Sequence, residues 1–244
     1  MKKQAGFLVL ALFATAAQAL PIGIYEFSGF INATELGGSS LQDTRFGTGP
    51  GDFGSAGLSS SFSSGLNANN IGTITWSLTN NTGGALSNAW FFGFLDAEID
   101  EPINTFFNEY GDSSDLVLGS GASDGLADSW EIDEPGFSFG NIYTNLLAGS
   151  LDNTNSVPSS SVDDVSLALG FNLGAIGAGD TLTFMFDISD INNGGLRHGD
   201  SQSDDTFWFK GFLLAVPEPE TFFLVAIGLL GLAFQQRKAK ANLS

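Results

Sequence analysis

The sequence predicts an all-β protein built as an antiparallel β-sandwich. Three observations support this prediction. Apolar and other residues alternate with a period of two in most of the patterned segments. Glycine, serine, asparagine and aspartate fill the intervals between those segments, as they do in turns. Between the two ends of the chain, no long segment has the 3.6-residue periodicity of an amphipathic helix.

Five segments show the strand pattern most clearly. In 73–79 every second residue is apolar and the residues between carry hydroxyl groups. In 181–188 the even-numbered residues are all leucine, phenylalanine or isoleucine. The others are 89–95, which is apolar on both faces, 165–171 and 206–214, with weaker candidates at 22–30, 116–118 and 136–139. We therefore expect about eight short strands, in a sandwich for which a jelly roll is the alternative.

The segments between the strands are predicted to be turns and loops. Residues 80–84 (NNTGG) have the composition of a turn. Residues 39–64 are poor in large apolar side chains and are predicted to form a long loop or a linker. Residues 150–164 predict a second long loop, and 141–147 allow one or two helical turns. One exported domain is expected over residues 20–215.

The N-terminus has the three parts of a secretory signal peptide. Residues 1–3 (MKK) are basic, and 6–17 are almost entirely apolar. Ala17 and Ala19 then supply the small residues that signal peptidase requires. We expect residues 1–19 to be removed and the mature chain to begin near Leu20 outside the cytoplasm.

The C-terminus has a second apolar run, which resembles a short membrane anchor. The uncharged run 221–234 would span about 21 Å as a helix, against a hydrocarbon core of about 30 Å. Local thinning of the bilayer and snorkelling basic side chains can absorb this difference. Arg237, Lys238 and Lys240 follow the run, and the positive-inside rule places them in the cytoplasm. We predict a transmembrane helix at 221–235.

The tail as a whole resembles the PEP-CTERM sorting signal. Pro217, Glu218 and Pro219 precede the apolar helix, and the basic residues follow it. The resemblance implies that residues 216–244 are a sorting signal on an exported protein of a Gram-negative, exopolysaccharide-making bacterium. It also implies a partner, a membrane-embedded exosortase that processes the chain near Pro-Glu-Pro. The protein would be anchored transiently in the inner membrane and then reach the cell surface or the extracellular matrix.

A looser resemblance concerns the body of the chain. Residues 75–100 and 167–189 each contain an apolar strand, a loop of small residues and a second strand. This order is similar to Ig-like modules of bacterial surface proteins, and the resemblance implies only an Ig-like sandwich architecture.

Composition excludes several classes of function. All 27 acidic residues lie in 20–220, where only Arg45, Arg197 and Lys210 are basic, so this part has a net charge of −24. Such a charge repels nucleic acid and anionic lipid headgroups. The chain has 23 phenylalanines and four tryptophans, which argue against disorder. It has no cysteine, so disulfides, thiol nucleophiles and cysteine zinc sites are excluded.

No catalytic residues can be assigned from the sequence. The single histidine, His198, lies in GLRHGDSQSDD and is expected to be solvated. No serine lies in a G-x-S-x-G motif that is followed by a helix. The segment 128–137 (DSWEIDEPGF) has Glu131 and Glu134 beside Trp130, which would suit sugar binding or hydrolysis if the carboxyl groups converged. The simpler interpretation is a solvated loop with a packed tryptophan.

Calcium is the one cofactor for which the sequence offers ligands. Asp187, Asp190 and Asn192 place oxygen atoms at positions 1, 4 and 6 of a stretch that reaches a glycine two residues later. The full EF-hand pattern is absent. Residues 95–102 (LDAEIDEP) bring Asp96, Glu98 and Asp100 to one side of a strand end, where like charges repel unless a cation or solvent relieves them.

These observations predict a non-enzymatic surface or matrix protein. An exosortase-type system would sort it, and it would associate with exopolysaccharide or biofilm. The alternatives are a carbohydrate-binding module and a secreted glycoside hydrolase.

Overall fold

Eleven strands in two antiparallel sheets make up the described part of the computed structural model, which covers residues 22–51, 53–99, 106–136, 139–203 and 205–215. The predicted signal peptide (1–19) and transmembrane helix (221–235) lie outside these residues. Among the residues described, no helix is long and apolar enough to cross a membrane. The predicted antiparallel two-sheet architecture is confirmed.

The first sheet has five strands in the order β2-β1-β5-β8-β7. Their bounds are β1 Ile22–Asn32, β2 Leu41–Phe46, β5 Leu86–Ile99, β7 Ser129–Asp133 and β8 Ser166–Ile176. The second sheet has six strands in the order β3-β4-β9-β11-β10-β6. Their bounds are β3 Leu58–Ser64, β4 Gly72–Asn80, β6 Glu109–Asp112, β9 Thr181–Ser189, β10 Leu196–Asp200 and β11 Thr206–Ala215.

The core between the sheets is rich in aromatic rings, as the alternating patterns predict. On β4 and β9 the apolar residues that share a face are buried: Ile74, Trp76, Leu78, Leu182, Phe184, Phe186 and Ile188. Phe91 of β5 stacks on Phe184 of β9 with ring centroids 4.0 Å apart, so the two sheets meet through direct ring contacts. Aromatic pairs of this kind add about 0.5–1.5 kcal/mol each to the area that they bury.

A short helix, α1 (Ile142–Ala148), covers the outer face of the first sheet. It buries Ile142 and Leu146 against Phe30, Phe92 and Phe94, which form a second, smaller core. The helix ends at Gly149, whose φ of 76° is left-handed and whose N–H bonds to the carbonyl groups of Asn145 and Leu146. The helical turns predicted at 141–147 are confirmed.

The two sheets are joined at one edge by the segment 153–164. Ile132 of β7 donates its N–H to Thr154 and accepts one from Ser156. Glu109 of β6 exchanges both backbone hydrogen bonds with Asp163, at 3.2 and 3.0 Å. The segment therefore satisfies two strand edges that would otherwise be exposed, and it brings the start of β6 close to the start of β8.

The structure corrects several local predictions. Residues 39–64 are not a loop or linker, because they contain β2 and β3. Residues 116–118 form no strand. The segment 128–137 is not a solvated loop, because β7 runs through it and Glu131 has no exposed surface. His198 is not solvated either, since it lies within β10 and is 1% exposed.

Candidate functional site

Carboxyl groups converge at the end of the sandwich where β5 ends and β8 begins. One oxygen from each of Glu98, Glu109 and Asp164 lies within 4.8 Å of the others. We refer to these three residues as the acidic cluster. Glu98 is the penultimate residue of β5, Glu109 is the first residue of β6, and Asp164 lies two residues before β8.

Strand pairing places these residues side by side. Asp96 of β5 pairs with Ser166 of β8. Because the two strands are antiparallel, Glu98 and Asp164, each two residues further on, continue the same row on the same side of the sheet. Glu26 of β1 pairs with Asp96 from the other side and extends the row of acidic groups.

Glu109 reaches the cluster from the second sheet and has no exposed surface. Its Oε1 accepts a hydrogen bond of 3.4 Å from the backbone N–H of Ile99. Its Oε2 makes no hydrogen bond within the described residues, and the same is true of Oδ1 of Asp164. Buried oxygens without partners are costly, so this arrangement requires a physical explanation.

His198 lies beside Glu109, with Nε2 2.9 Å from Oε1. Its ring stacks on Phe207 at 4.6 Å between centroids. Neither ring nitrogen makes a hydrogen bond of acceptable geometry among the described residues. Asp200, two residues along β10, has partners instead: Asn108 donates to it at 2.7 Å, and two backbone N–H groups cap its other oxygen.

Burial disfavours the charged forms of the carboxyl groups in the acidic cluster and of the neighbouring Asp96. It raises the pKa of Asp96 to about 8, and repulsion from Asp164 and Glu98 adds to the effect. Burial also raises the pKa of Glu98 to about 9 and that of Glu109 to about 8. A hydrogen bond between Glu98 and Glu109 favours the proton on Glu98. The pKa of Asp164 is raised as well, chiefly by burial.

Burial also favours the neutral form of the His198 imidazole. Burial lowers the pKa of His198 to about 4, although the nearby carboxylates Glu98, Asp164 and Asp200 act in the opposite direction. At neutral pH His198 is therefore uncharged. A neutral imidazole retains one nitrogen lone pair that can act as a ligand.

The residues predicted as calcium ligands lie elsewhere, at the end of β9 and in the turn after it. Asp187 accepts a hydrogen bond of 2.8 Å from Asn193, and Asp190 is exposed. The side-chain oxygen of Asn192 accepts the N–H of Gly194 at 2.9 Å. These contacts stabilise the turn itself, and calcium binding at this turn stays a prediction.

Of the two carboxyl groups considered from the sequence for sugar hydrolysis, Glu131 is fully buried. Glu131 accepts hydrogen bonds from the side chain of Asn145, at 2.9 and 3.1 Å, and from the N–H of Asp152, at 3.0 Å. Glu131 thus anchors α1 and the segment that follows it to β7. Glu134 lies beyond the end of that strand and is half-buried.

An open polar cavity of about 340 Å³ lies beside β6 and β10. The guanidinium of Arg197 lies 5.2 Å from the ring centroid of Tyr110 and donates to its hydroxyl at 2.5 Å. An aromatic ring, a cation, a carboxylate and an amide therefore share one cavity, which is lined by Tyr110, Gly111, Asp112, Asn155, Pro158, Ser159 and Arg197.

Comparison with known families gives one match, at the end of the chain. Residues 215–238 match the family model of the PEP-CTERM protein-sorting motif. The chain carries a PEP-CTERM sorting motif. This motif indicates sorting by an exosortase system to the cell surface, as the sequence resemblance predicted. No curated protein and no solved structure matches the chain.

The PEP-CTERM match includes Pro217, Glu218, Pro219, Arg237 and Lys238. Lys240 lies two residues beyond it. These residues, and the predicted cleavage residues Ala17 and Ala19, lie outside the described part of the structure. The roles predicted for them in processing and membrane orientation stay predictions.

Sequence reasoning missed three residues of the site: Glu109, Asp164 and His198. One signal was present in LDAEID, where Asp96 and Glu98 follow a segment (89–95) that is apolar on both faces. Charged side chains at such positions must be buried with a partner or with a bound ion. The partners could not be identified, because they come from distant strands and loops.

Proposed function

We propose that this protein is a non-enzymatic surface or matrix protein, delivered by an exosortase-type system and associated with the exopolysaccharide of a Gram-negative bacterium. The PEP-CTERM match supports this proposal most strongly. It begins at residue 215, where β11 ends. Processing near Pro217–Pro219 would remove the tail and leave all eleven described strands in place.

The charge of the exported part is consistent with this destination. A body with a net charge of −24 stays soluble and dispersed, and it is repelled by nucleic acid and anionic membranes. Its carboxyl groups at Glu109 and Glu131 have no exposed surface, whereas a glycosidase needs two carboxyl groups facing a substrate. These placements favour a structural or binding role over hydrolysis.

A carbohydrate-binding module is the second candidate, and the cavity beside β6 and β10 favours it. Tyr110 offers an aromatic ring, and Asp112, Asn155 and Arg197 offer hydrogen-bonding groups beside it. Protein sites for small polar ligands combine such groups in a concave surface. In this case the ligand would be a sugar unit of the same polysaccharide layer.

The test uses protein recovered from the extracellular matrix and exopolysaccharide purified from the same producing cells. We expect the protein to sediment with the polysaccharide, and the length distribution of the polysaccharide to stay unchanged after prolonged incubation. Shortened polysaccharide would contradict the non-enzymatic role. Protein that stays in the supernatant would contradict the association.

A pair of variants distinguishes the second candidate. Tyr110→Ala removes the ring in the cavity, and Tyr25→Ala is the control, because Tyr25 is 54% exposed and belongs to the other sheet. Weaker sedimentation of Tyr110→Ala alone would assign carbohydrate binding to the cavity. Equal sedimentation of both variants would leave association with the layer but exclude this cavity as its cause.

A further inference from the structure

Within the described residues, neither Glu109 nor Asp164 forms an ion pair with an arginine or a lysine. The three cationic side chains of the body are engaged elsewhere: Arg45 with Asp43 and Ser60, Arg197 with Tyr110 and Asp112, and Lys210 with the carbonyl of Asn193. Buried carboxylates are tolerated when they are paired or when they bind a metal. Among the described residues, the basic side chain beside the cluster is His198, whose Nε2 lies 2.9 Å from Oε1 of Glu109.

The hydrogen bonding of the cluster is also incomplete, which is an independent observation. Glu109 is fully buried, yet its Oε2 makes no hydrogen bond within the described residues. The same holds for Oδ1 of Asp164 and for both ring nitrogens of His198, although Nε2 lies 2.9 Å from Oε1 of Glu109. Glu109 and Asp164 therefore each have a buried oxygen that lacks a donor within the described residues.

The spacing of these atoms matches the coordination sphere of a metal ion. Calcium binds oxygen at about 2.3–2.6 Å, so two ligands on opposite sides lie about 4.6–5.2 Å apart. The three carboxylate oxygens fall within 4.8 Å of one another.

We propose that Glu98, Glu109 and Asp164 bind a divalent metal cation. The cation takes the place of the protons on the carboxyl groups and satisfies the buried oxygens of Glu109 and Asp164. It also joins β5, β6 and the segment before β8, so that it links the two sheets at one end of the sandwich. Asp164 is partly exposed and offers the route by which the ion and its water molecules enter.

The experiment measures metal content and thermal stability of the protein recovered from producing cells. After treatment with chelator, the protein is titrated separately with CaCl₂, MnCl₂ and ZnCl₂, with NaCl at matched ionic strength as the control. At 100 times the Kd of the preferred ion, we expect one equivalent bound and a Tm higher by about 5–10 °C. A rise that NaCl reproduces, or no saturable binding of any of the three ions, would overturn the proposal.

Three variants assign the site. Glu109→Gln keeps the size of the side chain and should abolish the metal-dependent rise in Tm. Asp164 lies at the partly exposed end of the cluster, and Asp164→Asn should weaken metal binding at least tenfold. If Glu109→Gln does not fold, the metal affinity of Asp164→Asn tests the assignment. Asp187→Asn, in the turn after β9, is the matched control and should bind like the unaltered protein. Unchanged binding in Asp164→Asn, or loss of binding in Asp187→Asn, would overturn the assignment.

Discussion

In the presence of a chelator, the protein is expected to lose stability as the pH rises from 6.5 to 9. The pKa values of Asp96 and Glu109 are raised to about 8, and that of Glu98 to about 9. In the unfolded chain these groups titrate near pH 4. The folded state therefore binds more protons than the unfolded state between about pH 4 and 9, and its stability falls with rising pH.

His198 has the opposite effect over a narrower range. Its pKa is lowered from 6.5 to about 4, so the unfolded state binds the extra proton between these values. The contribution of His198 to the free energy of unfolding therefore grows as the pH rises from about 4 to 6.5 and stays constant above pH 6.5. The window from pH 6.5 to 9 is therefore governed by Asp96, Glu98 and Glu109, whose raised pKa values lie within it.

The size of the stability loss between pH 6.5 and 9 can be estimated for a single proton. Each pKa unit that separates the folded from the unfolded state is worth about 1.4 kcal/mol. One proton retained over two pH units contributes about 3 kcal/mol, or about 5–10 °C in Tm for a domain of this size. Scanning calorimetry in the presence of EDTA measures this change in Tm. The Glu98→Gln variant should show a flatter profile, and a Tm that is constant or rises between pH 6.5 and 9 would contradict the explanation.

Gly93→Ala is expected to destabilise the protein by about 1–3 kcal/mol, through overpacking of the core. Gly93 lies in β5, opposite Gly29 of β1. A Cβ atom at this position would overlap the ring of Phe186. The ring cannot move aside easily, because it stacks on Phe209 and meets the edge of Phe27 at 5.4 Å.

Thermal unfolding of four variants tests this packing. Gly84→Ala is the matched control, because a Cβ atom there has no neighbour within 4 Å, and its Tm should change little. Phe186→Leu makes room for the added methyl group. The double variant Gly93→Ala/Phe186→Leu should therefore lose less stability than the sum of the two single losses, by at least about 0.5 kcal/mol. Additive losses would mean that Gly93 and Phe186 do not compete for the same space.

The central strands could be predicted because each has one face in the core. In β4 and β9 the alternation follows directly from burial of every second residue. The tail could be predicted too, because its motif is local in sequence and the family match confirms it. Patterns of this kind need no knowledge of which strands are neighbours.

The edge strands and the acidic cluster could not be predicted for the opposite reason. β3 (LSSSFSS) is rich in serine, and its backbone pairing with β4 places it in the sheet. β6, β7 and β10 are four or five residues long and contain buried acidic residues or histidine, so they resemble loops. Only the tertiary fold shows that Glu109 and His198 lie beside the ends of β5 and β8.

The most direct test of delivery and processing is the intact mass of the protein in the extracellular matrix and in the inner membrane of the producing cells. We predict a matrix form that begins near Leu20 and ends between Pro217 and Glu220. That mass would establish both processing events. The processed form would retain every described strand. A single form that retains residues through Ser244 and stays in the inner membrane would contradict the account, since the tail would then be a permanent anchor.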